Sequence, residues 1–169
     1  RNEDGSISAY VSVCVVPFSN PLSRLGGPMN SIEVTSRNCN ITQYSGPGAG
    51  RFPTANSAVN DMVMIAKGQS SHPFPITADF PINPEVKGRF YMRFTIRDSL
   101  GVVRIFGELA EKAGISIHSL LQTPIKDHSH VPMVLTTETT TLSAVKAMCS
   151  EVVKQPFNLE EPLVMPIFE

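Results

Sequence analysis

The chain has 169 residues, of which 41% are hydrophobic and 17% are charged, and its formal net charge is −1. This composition is sufficient for a packed core and too apolar for a disordered chain. Lysine and arginine do not cluster, which argues against nucleic acid or an anionic membrane as a partner. No apolar run reaches the length of a membrane-spanning helix. The chain starts at Arg1 without a methionine, so we expect it to be a piece of something longer.

The three cysteines, Cys14, Cys39 and Cys149, form no Cys-x-x-Cys pair of the kind that binds zinc or carries redox chemistry. We therefore expect reduced thiols and a cytoplasmic protein, or a plastid protein if a transit peptide lies upstream. His128 and His130 flank Ser129 without a third ligand in reach, so we interpret them as solvated and predict no metal site.

The first residues alternate between apolar and polar, which predicts a half-buried strand over residues 7 to 16. Its apolar face consists of Ile7, Ala9, Val11, Val13 and Val15. Two shorter strands are predicted near 30 to 35 and 39 to 45, followed by a helix. Three strands and one helix do not easily close a core, so we expect this part to need further strands or a second copy of itself.

Three glycines, Gly46, Gly48 and Gly50, separate the last of these strands from the helix. Such a turn allows backbone amides to approach a phosphate or a flat ring, but it can also be only a tight connection. Pro53 suits the first turn of a helix, and Lys67-Gly68 is a typical helix end. Apolar residues recur at helical spacing and predict an amphipathic helix: Ala55, Ala58, Val59, Met62 and Ala66.

Residues 68 to 88 are predicted to be a linker because prolines interrupt them, and His72 is interpreted as a solvated loop residue. The prolines are Pro73, Pro75, Pro81 and Pro84. The remaining residues predict a complete small domain of the order β-α-β-β-α-β, the ferredoxin-like split βαβ arrangement.

The first strand of this domain buries Phe90, Met92, Phe94 and Ile96, and a turn over 98 to 101 leads into a helix that Gly114 ends. Strands over 115 to 123 and about 130 to 137 follow, then a helix capped by Thr140 or Thr141 and a strand that includes 163 to 167. The two helices are predicted to bury apolar stripes: Val102, Ile105, Phe106, Leu109, Ala110 and Ala113, then Leu142, Val145, Cys149 and Val152.

Two sets of residues resemble known families. Over roughly residues 8 to 67 the chain resembles the end of the catalytic region of homoserine dehydrogenase. The matching residues are Val16-Pro17, Asn20-Pro21-Leu22, Gly26-Gly27, Asn30, Gly46-Pro47-Gly48-Ala49-Gly50, Pro53-Thr54-Ala55, Ala58-Val59 and Asp61. The second half resembles an ACT domain, an amino-acid-sensing module, although that family usually has proline where Leu100 stands. Here the matching residues are Asp98-Ser99-Leu100-Gly101-Val102-Val103, Ala113-Gly114-Ile115-Ser116-Ile117 and Ser119-Leu120-Leu121-Gln122.

The resemblance implies an α+β chain in three parts. Residues 1–67 form a partial sheet and helix of the catalytic region, 68–88 the linker, and 89–169 the ACT domain. It further implies a homoserine dehydrogenase that interconverts aspartate semialdehyde and homoserine with NADP or NAD, on the route to threonine, methionine and isoleucine. The cofactor domain and the catalytic lysine lie upstream in the family, so the chain alone is expected to be inactive. Gly48 and Gly50 would approach the cofactor.

The start of the helix after Gly101 offers backbone N–H groups and the positive end of the helix dipole, which suit a carboxylate. By resemblance, an amino acid effector, with threonine favoured, would contact Asp98, Leu100, Gly101, Val102, His118 and Gln122. His118, Leu120 and Gln122 are predicted to lie on the strand face opposite Ile115 and Ile117. They could instead be an interface, because ACT domains commonly pair, and the turn could simply connect strand and helix.

Self-association is expected both through the ACT domain and through the sheet of the catalytic region. The competing hypothesis is a non-enzymatic regulatory or oligomerisation subunit that binds an amino acid.

Overall fold

The computed structural model describes residues 4–69, 79–122 and 127–168. The chain divides into two compact units: Phe18–Asp79 is one, and Arg1–Pro17 together with Phe80–Glu169 is the other. We call them the hairpin unit and the sheet unit. The first residues of the chain therefore fold with its C-terminal half, and so do residues 80 to 88 at the end of the predicted linker. The linker residues His72, Pro73 and Pro75 lie outside the described residues.

The hairpin unit contains a short 3-10 helix over Pro21–Arg24, two strands and one α-helix. Strands β1 (Met29–Ser36) and β2 (Asn40–Pro47) pair antiparallel along their whole length, and helix α1 (Arg51–Ala66) follows. Both predicted strands and the predicted helix are thus confirmed. Pro53 lies in the first turn of α1, Lys67 is its C-cap, and Gly68 has the positive φ of +70° that is typical of a helix end.

No described residue of the hairpin unit is buried. Within this chain the apolar positions of α1 are exposed: Met62 is 64% exposed, and Ala55, Ala58, Val59 and Ala66 are exposed as well. The physical reason is that one hairpin and one helix have too little surface to enclose a core between them.

The strand predicted over residues 7 to 16 is also wrong. Backbone pairing of this segment is confined to two isolated bridges, Ile7 with Ile82 and Val15 with Ile167. Between them Val11 and Val13 are exposed, because no described strand lies alongside to form a ladder. An alternating sequence predicts a strand only where a neighbouring strand supplies its hydrogen bonds.

The sheet unit has a five-stranded antiparallel sheet. Its strands are β3 (Lys87–Ile96), β4 (Ile117–Gln122), β5 (Val131–Thr137), the short β6 (Thr140–Thr141) and β7 (Leu163–Ile167). The four longer strands lie in the order β4-β5-β3-β7, and β6 pairs with the start of β3. Helix α2 (Val102–Lys112) connects β3 to β4, and helix α3 (Leu142–Val153) connects β5 to β7. This is the split βαβ arrangement that the sequence predicts.

The core of the sheet unit lies between the sheet and the two helices. Phe90, Met92, Phe94 and Ile96 of β3 are fully buried, which confirms the predicted alternation. The Phe106 ring of α2 contacts Phe94 edge-on, with 4.8 Å between ring centroids. Helix α3 buries Val145, Met148, Cys149 and Val152, while Leu142 is only half-buried.

Both helices of the sheet unit have defined ends. Gly101 precedes α2 with φ +86°, and Gly114 follows it with φ +69°. Thr141 caps α3, since its hydroxyl accepts a hydrogen bond from the Ala144 amide at 3.2 Å. The carboxylate of Glu85 accepts another from the Ser143 amide at 3.1 Å, and hydrogen bonds from Ser143 hold the pKa of Glu85 below its usual value.

Candidate functional site

The glycine turn lies between β2 and α1, and Pro47 to Gly50 are exposed. The Gly48 amide donates to the Pro28 carbonyl at 2.8 Å, and a Cβ built on Gly48 would overlap the side-chain amide of Asn30. Gly50 has φ +115°, a conformation that L side chains rarely adopt. Gly50 therefore requires glycine for a reason inside the turn, whereas a side chain at position 48 would require the exposed Asn30 side chain to move.

The first turn of α1 is the part of this turn best suited to a ligand. Its N-cap, Gly50, has no side chain, so no side-chain hydrogen bond caps the helix. Exposed N–H groups at a helix start attract phosphate and carboxylate groups. The assignment of Gly48 and Gly50 to the cofactor stays a prediction.

The turn before α2 brings together four of the six residues predicted to bind an effector, Asp98, Leu100, Gly101 and Val102. The Val102 side chain is only 4% exposed and packs in the core, so Val102 could offer a ligand only its backbone. Leu100 is fully exposed. Like α1, helix α2 has no side-chain cap at its N-terminus.

His128 is the residue at this turn that the sequence did not reveal. Its Nδ1 lies 2.8 Å from the Asp98 carboxylate, and the Asp98 amide donates to the His128 carbonyl at 3.0 Å. His128 is exposed as predicted, yet it ties its loop to the turn rather than being only solvated. The Asp98 carboxylate at this turn is therefore already held by His128.

A β-bulge at His118 changes which residues of β4 face the core. Ile117 pairs with Thr137 and Ser119 pairs with Thr136, which leaves His118 as the extra residue. Leu120 and Gln122 consequently pair with the buried Leu135 and Met133, on the same side as Ile117. The prediction that they lie on the opposite face is wrong, because one inserted residue shifts the alternation of everything after it.

His118 and the turn before α2 also lie at opposite ends of the sheet. His118 lies beside Thr137 in the sheet, and the Thr137 hydroxyl accepts a hydrogen bond from the Phe90 amide near the start of β3. Asp98, in contrast, follows the end of β3. The strand between Phe90 and Ile96 spans about 20 Å. Within one copy of the chain, a single amino acid cannot contact both. His118 instead has its Nδ1 2.7 Å from the Glu138 carboxylate, and this hydrogen bond lowers the pKa of Glu138.

A cleft of about 530 Å³ lies beside α3, where the chain enters β7. Its lining residues are Lys146, Cys149, Ser150, Val153, Lys154, Glu161, Pro162 and Val164. Burial, together with the charge of Glu161, raises the pKa of the Cys149 thiol to about 11. No sequence motif marks this cleft, because its walls come from two segments that carry no recognisable spacing.

Two kinds of feature are absent from the described residues. They contain no group of three or more His, Cys, Asp or Glu side chains placed to hold a metal ion. No helix among them combines the length and apolarity that crossing a membrane requires.

Comparison with known proteins gives a consistent family. Residues 4–63 match the sequence model of homoserine dehydrogenase. The homoserine dehydrogenase of Helicobacter pylori is 31% identical over 70% of this chain and 29% of its own length. That of Neisseria gonorrhoeae is 25% identical over 98% of this chain and 40% of its own.

Solved structures agree in fold. A homoserine dehydrogenase from Thiobacillus denitrificans superposes with a TM-score of 0.82 at 23% identity, over 98% of this chain and 40% of that one. The S. aureus homoserine dehydrogenase at pH 7.0 gives a TM-score of 0.54 at 16% identity, over 91% of this chain and 36% of that one.

The matching proteins are oxidoreductases, and the chain is a relative of that class. Its family is that of the homoserine dehydrogenases, to whose C-terminal portion it corresponds. The chain spans between 29% and 40% of the length of the first curated relatives that it matches.

Proposed function

We propose that this chain is the C-terminal part of an NAD(P)-dependent homoserine dehydrogenase, the enzyme that interconverts aspartate semialdehyde and homoserine on the route to threonine, methionine and isoleucine. The observation that carries the proposal is the match to the Neisseria gonorrhoeae enzyme, which runs through both units and covers 98% of this chain. The nicotinamide cofactor supplies the hydride in such a reaction, and this chain contributes structure around it.

The hairpin unit completes the catalytic region in this proposal. Its lack of any buried described residue supports a role in which the remaining catalytic region covers it. The turn from Gly48 to Gly50 then presents the uncapped start of α1 to the phosphates of NADP or NAD. No catalytic lysine is assigned within the chain, so the chain alone is expected to show no turnover.

The sheet unit is the regulatory ACT domain in this proposal. Its split βαβ topology and the glycine turn before α2 support an amino-acid sensor, with threonine as the favoured effector. Pairing of two such units, and of the catalytic-region sheets, would make the enzyme an oligomer.

A chimera tests the enzymatic part. The corresponding portion of the Thiobacillus denitrificans enzyme is replaced by this chain, and NADPH-dependent or NADH-dependent reduction of aspartate semialdehyde is measured. We expect turnover within about tenfold of the intact enzyme. A chimera with Gly48→Leu, whose new side chain collides with Asn30, should lose most of this turnover. A chimera with Gly46→Ala should keep its turnover, because no atom lies within 4 Å of a Cβ built at Gly46.

Loss of activity in a chimera that folds and forms oligomers would contradict the proposal. It would favour the non-enzymatic regulatory subunit instead. Turnover by the isolated chain would contradict the assignment of its parts.

A further inference from the structure

The sheet of the sheet unit has one face that packs against α2 and α3 and an opposite face, which we call the outer face. Phe94 of β3 contacts Phe106 of α2 in the core, so its neighbours Arg93 and Thr95 point to the outer face. Strand pairing places one residue of each longer strand side by side in a row across this face: Leu121, Val134, Arg93 and Leu163.

The outer face is more apolar than the solvated face of an antiparallel sheet, which usually carries polar residues. In the row, Leu121 is 57% exposed and Leu163 is 39% exposed. One step along β3, Tyr91 pairs with Met165 of β7. Exposed apolar patches mark interaction surfaces, and tyrosine, methionine and arginine are enriched in protein interfaces. The composition of the outer face therefore indicates contact with another protein segment.

The strand residues of the outer face carry charge of one sign. None of the fully described strands β3, β4, β5 and β7 contains Asp or Glu, whereas β3 contributes Arg89 and Arg93. The Arg89 Nε donates to the Thr137 carbonyl at 3.2 Å. Arg93 is exposed and takes part in no ion pair among the residues that the structure describes. A partner that complements this face therefore carries negative charge opposite Arg93.

The same residues distinguish between kinds of partner. Two outer faces stacked on each other would bring the arginines of both β3 strands together, and like charges repel. Single-stranded nucleic acid carries negative charge, but its successive bases stack on several aromatic side chains. Tyr91 is half-buried and is the one Phe, Tyr or Trp that these four strands place on the outer face. An acidic protein segment fits the outer face better than either.

We propose that the outer face binds an amphipathic helix whose apolar stripe carries a carboxylate. The carboxylate pairs with the Arg93 guanidinium, and apolar side chains on either side of it pack on Val134 and Leu163. Strands β5 and β7 flank β3 and lie about 10 Å apart, which matches the diameter of about 10 Å of a helix laid along β3. The helix gives the sheet a second covering layer. This inference does not depend on the proposed enzymatic function.

The test is a titration of the ¹⁵N-labelled chain with synthetic helical peptides of about five turns. One peptide has a stripe of leucines with a glutamate at its centre, and the matched peptide has lysine in place of that glutamate. We expect the glutamate peptide to shift the amide signals of Arg93, Val134 and Leu163. The lysine peptide should bind about tenfold more weakly or worse, because its charge faces Arg93.

A charge exchange assigns the contact to Arg93. Arg93→Glu should weaken binding of the glutamate peptide about tenfold or more and should strengthen binding of the lysine peptide. A loss of structure would weaken both peptides, so the opposite responses separate a charge contact from misfolding. The matched control Arg37→Glu alters an exposed arginine of the hairpin unit and should leave both affinities unchanged.

Three results would overturn the proposal. The first is a titration in which the glutamate peptide shifts no signal of the outer face. The second is equal binding of the glutamate and lysine peptides, since Arg93 would then select no charge. The third is an oligothymidine that shifts Arg93, Val134 and Leu163 more strongly than the glutamate peptide does, which would identify nucleic acid as the occupant.

Discussion

The side-chain amide of Asn30 occupies the space that a Cβ on Gly48 would need. This contact joins the start of β1 to the turn after β2, and the hydrogen bond from the Gly48 amide to Pro28 reinforces it. A side chain at position 48 would therefore require the exposed Asn30 side chain to move.

Gly48→Ala should loosen the hairpin, because either Asn30 or the turn must move to admit the new methyl group. Amide hydrogen exchange of β1 and β2 measures this, and we expect exchange there to accelerate about tenfold. Gly46→Ala is the matched control and should change nothing. The double variant Gly48→Ala with Asn30→Gly should recover slow exchange, and failure to recover it would show that Asn30 is not the obstacle.

Phe106→Ala should destabilise the sheet unit by about 3–5 kcal/mol, the usual cost of emptying a buried phenylalanine site. The Phe106 ring is fully buried between Phe94 and Phe157, with centroids 4.8 and 5.7 Å away. Urea unfolding followed by circular dichroism gives the free energy of unfolding. Phe18→Ala, at a 93% exposed position, should stay within about 0.5 kcal/mol of the unmodified chain. Equal losses for the two variants would contradict the described core.

The contact between His118 and Glu138 predicts a pH-dependent contribution to folding. The pKa of Glu138 is lowered in the folded chain, mainly by its hydrogen bond with His118. The contribution is therefore present above the unfolded pKa, about 4.3 for a glutamate, and is lost as the pH falls through the lower folded pKa. Carbon-detected NMR titration should show the Glu138 pKa rising in His118→Ala and unchanged in His130→Ala. An unchanged Glu138 pKa in His118→Ala would contradict the hydrogen bond between these two side chains.

Cysteine labelling should separate Cys39 from Cys149. Cys39 is exposed, whereas Cys149 is buried and has its pKa raised to about 11. At pH 8 only about one in a thousand Cys149 thiols is then ionised, and the thiolate is the reactive form. Ellman's reagent should modify Cys39 within minutes and Cys149 only in denaturant, with the double variant Cys14→Ser and Cys39→Ser as the control that isolates the slow thiol. Rapid labelling of Cys149 in the folded chain would contradict its placement.

The sequence predicts the sheet unit well because its elements each carry a complete local signal. Phe90, Met92, Phe94 and Ile96 alternate, and Val102, Phe106 and Ala110 recur at helical spacing between two glycines with positive φ. These residues also pack against other residues of the same chain, so the hydrophobic pattern of the sequence agrees with the burial in the structure.

The predictions that were wrong depend on information that hydrophobic periodicity does not contain. An alternating segment such as 7–16 does not say whether a neighbouring strand is present, and the apolar spacing of α1 does not say what covers it. The bulge at His118 has no sequence signal, yet it reverses the facing of Leu120 and Gln122. The cleft beside α3 depends on how Glu161 folds back toward Lys146, which only the tertiary structure reveals.

The bridges of Ile7 and Val15 make the hairpin unit an insertion within the sheet unit. The peptide leaves the sheet unit after Pro17 and returns at Phe80, so both ends of the insertion are anchored to one body. A single proteolytic nick inside the insertion would leave two fragments still associated through the hydrogen bonds of Ile7 and Val15.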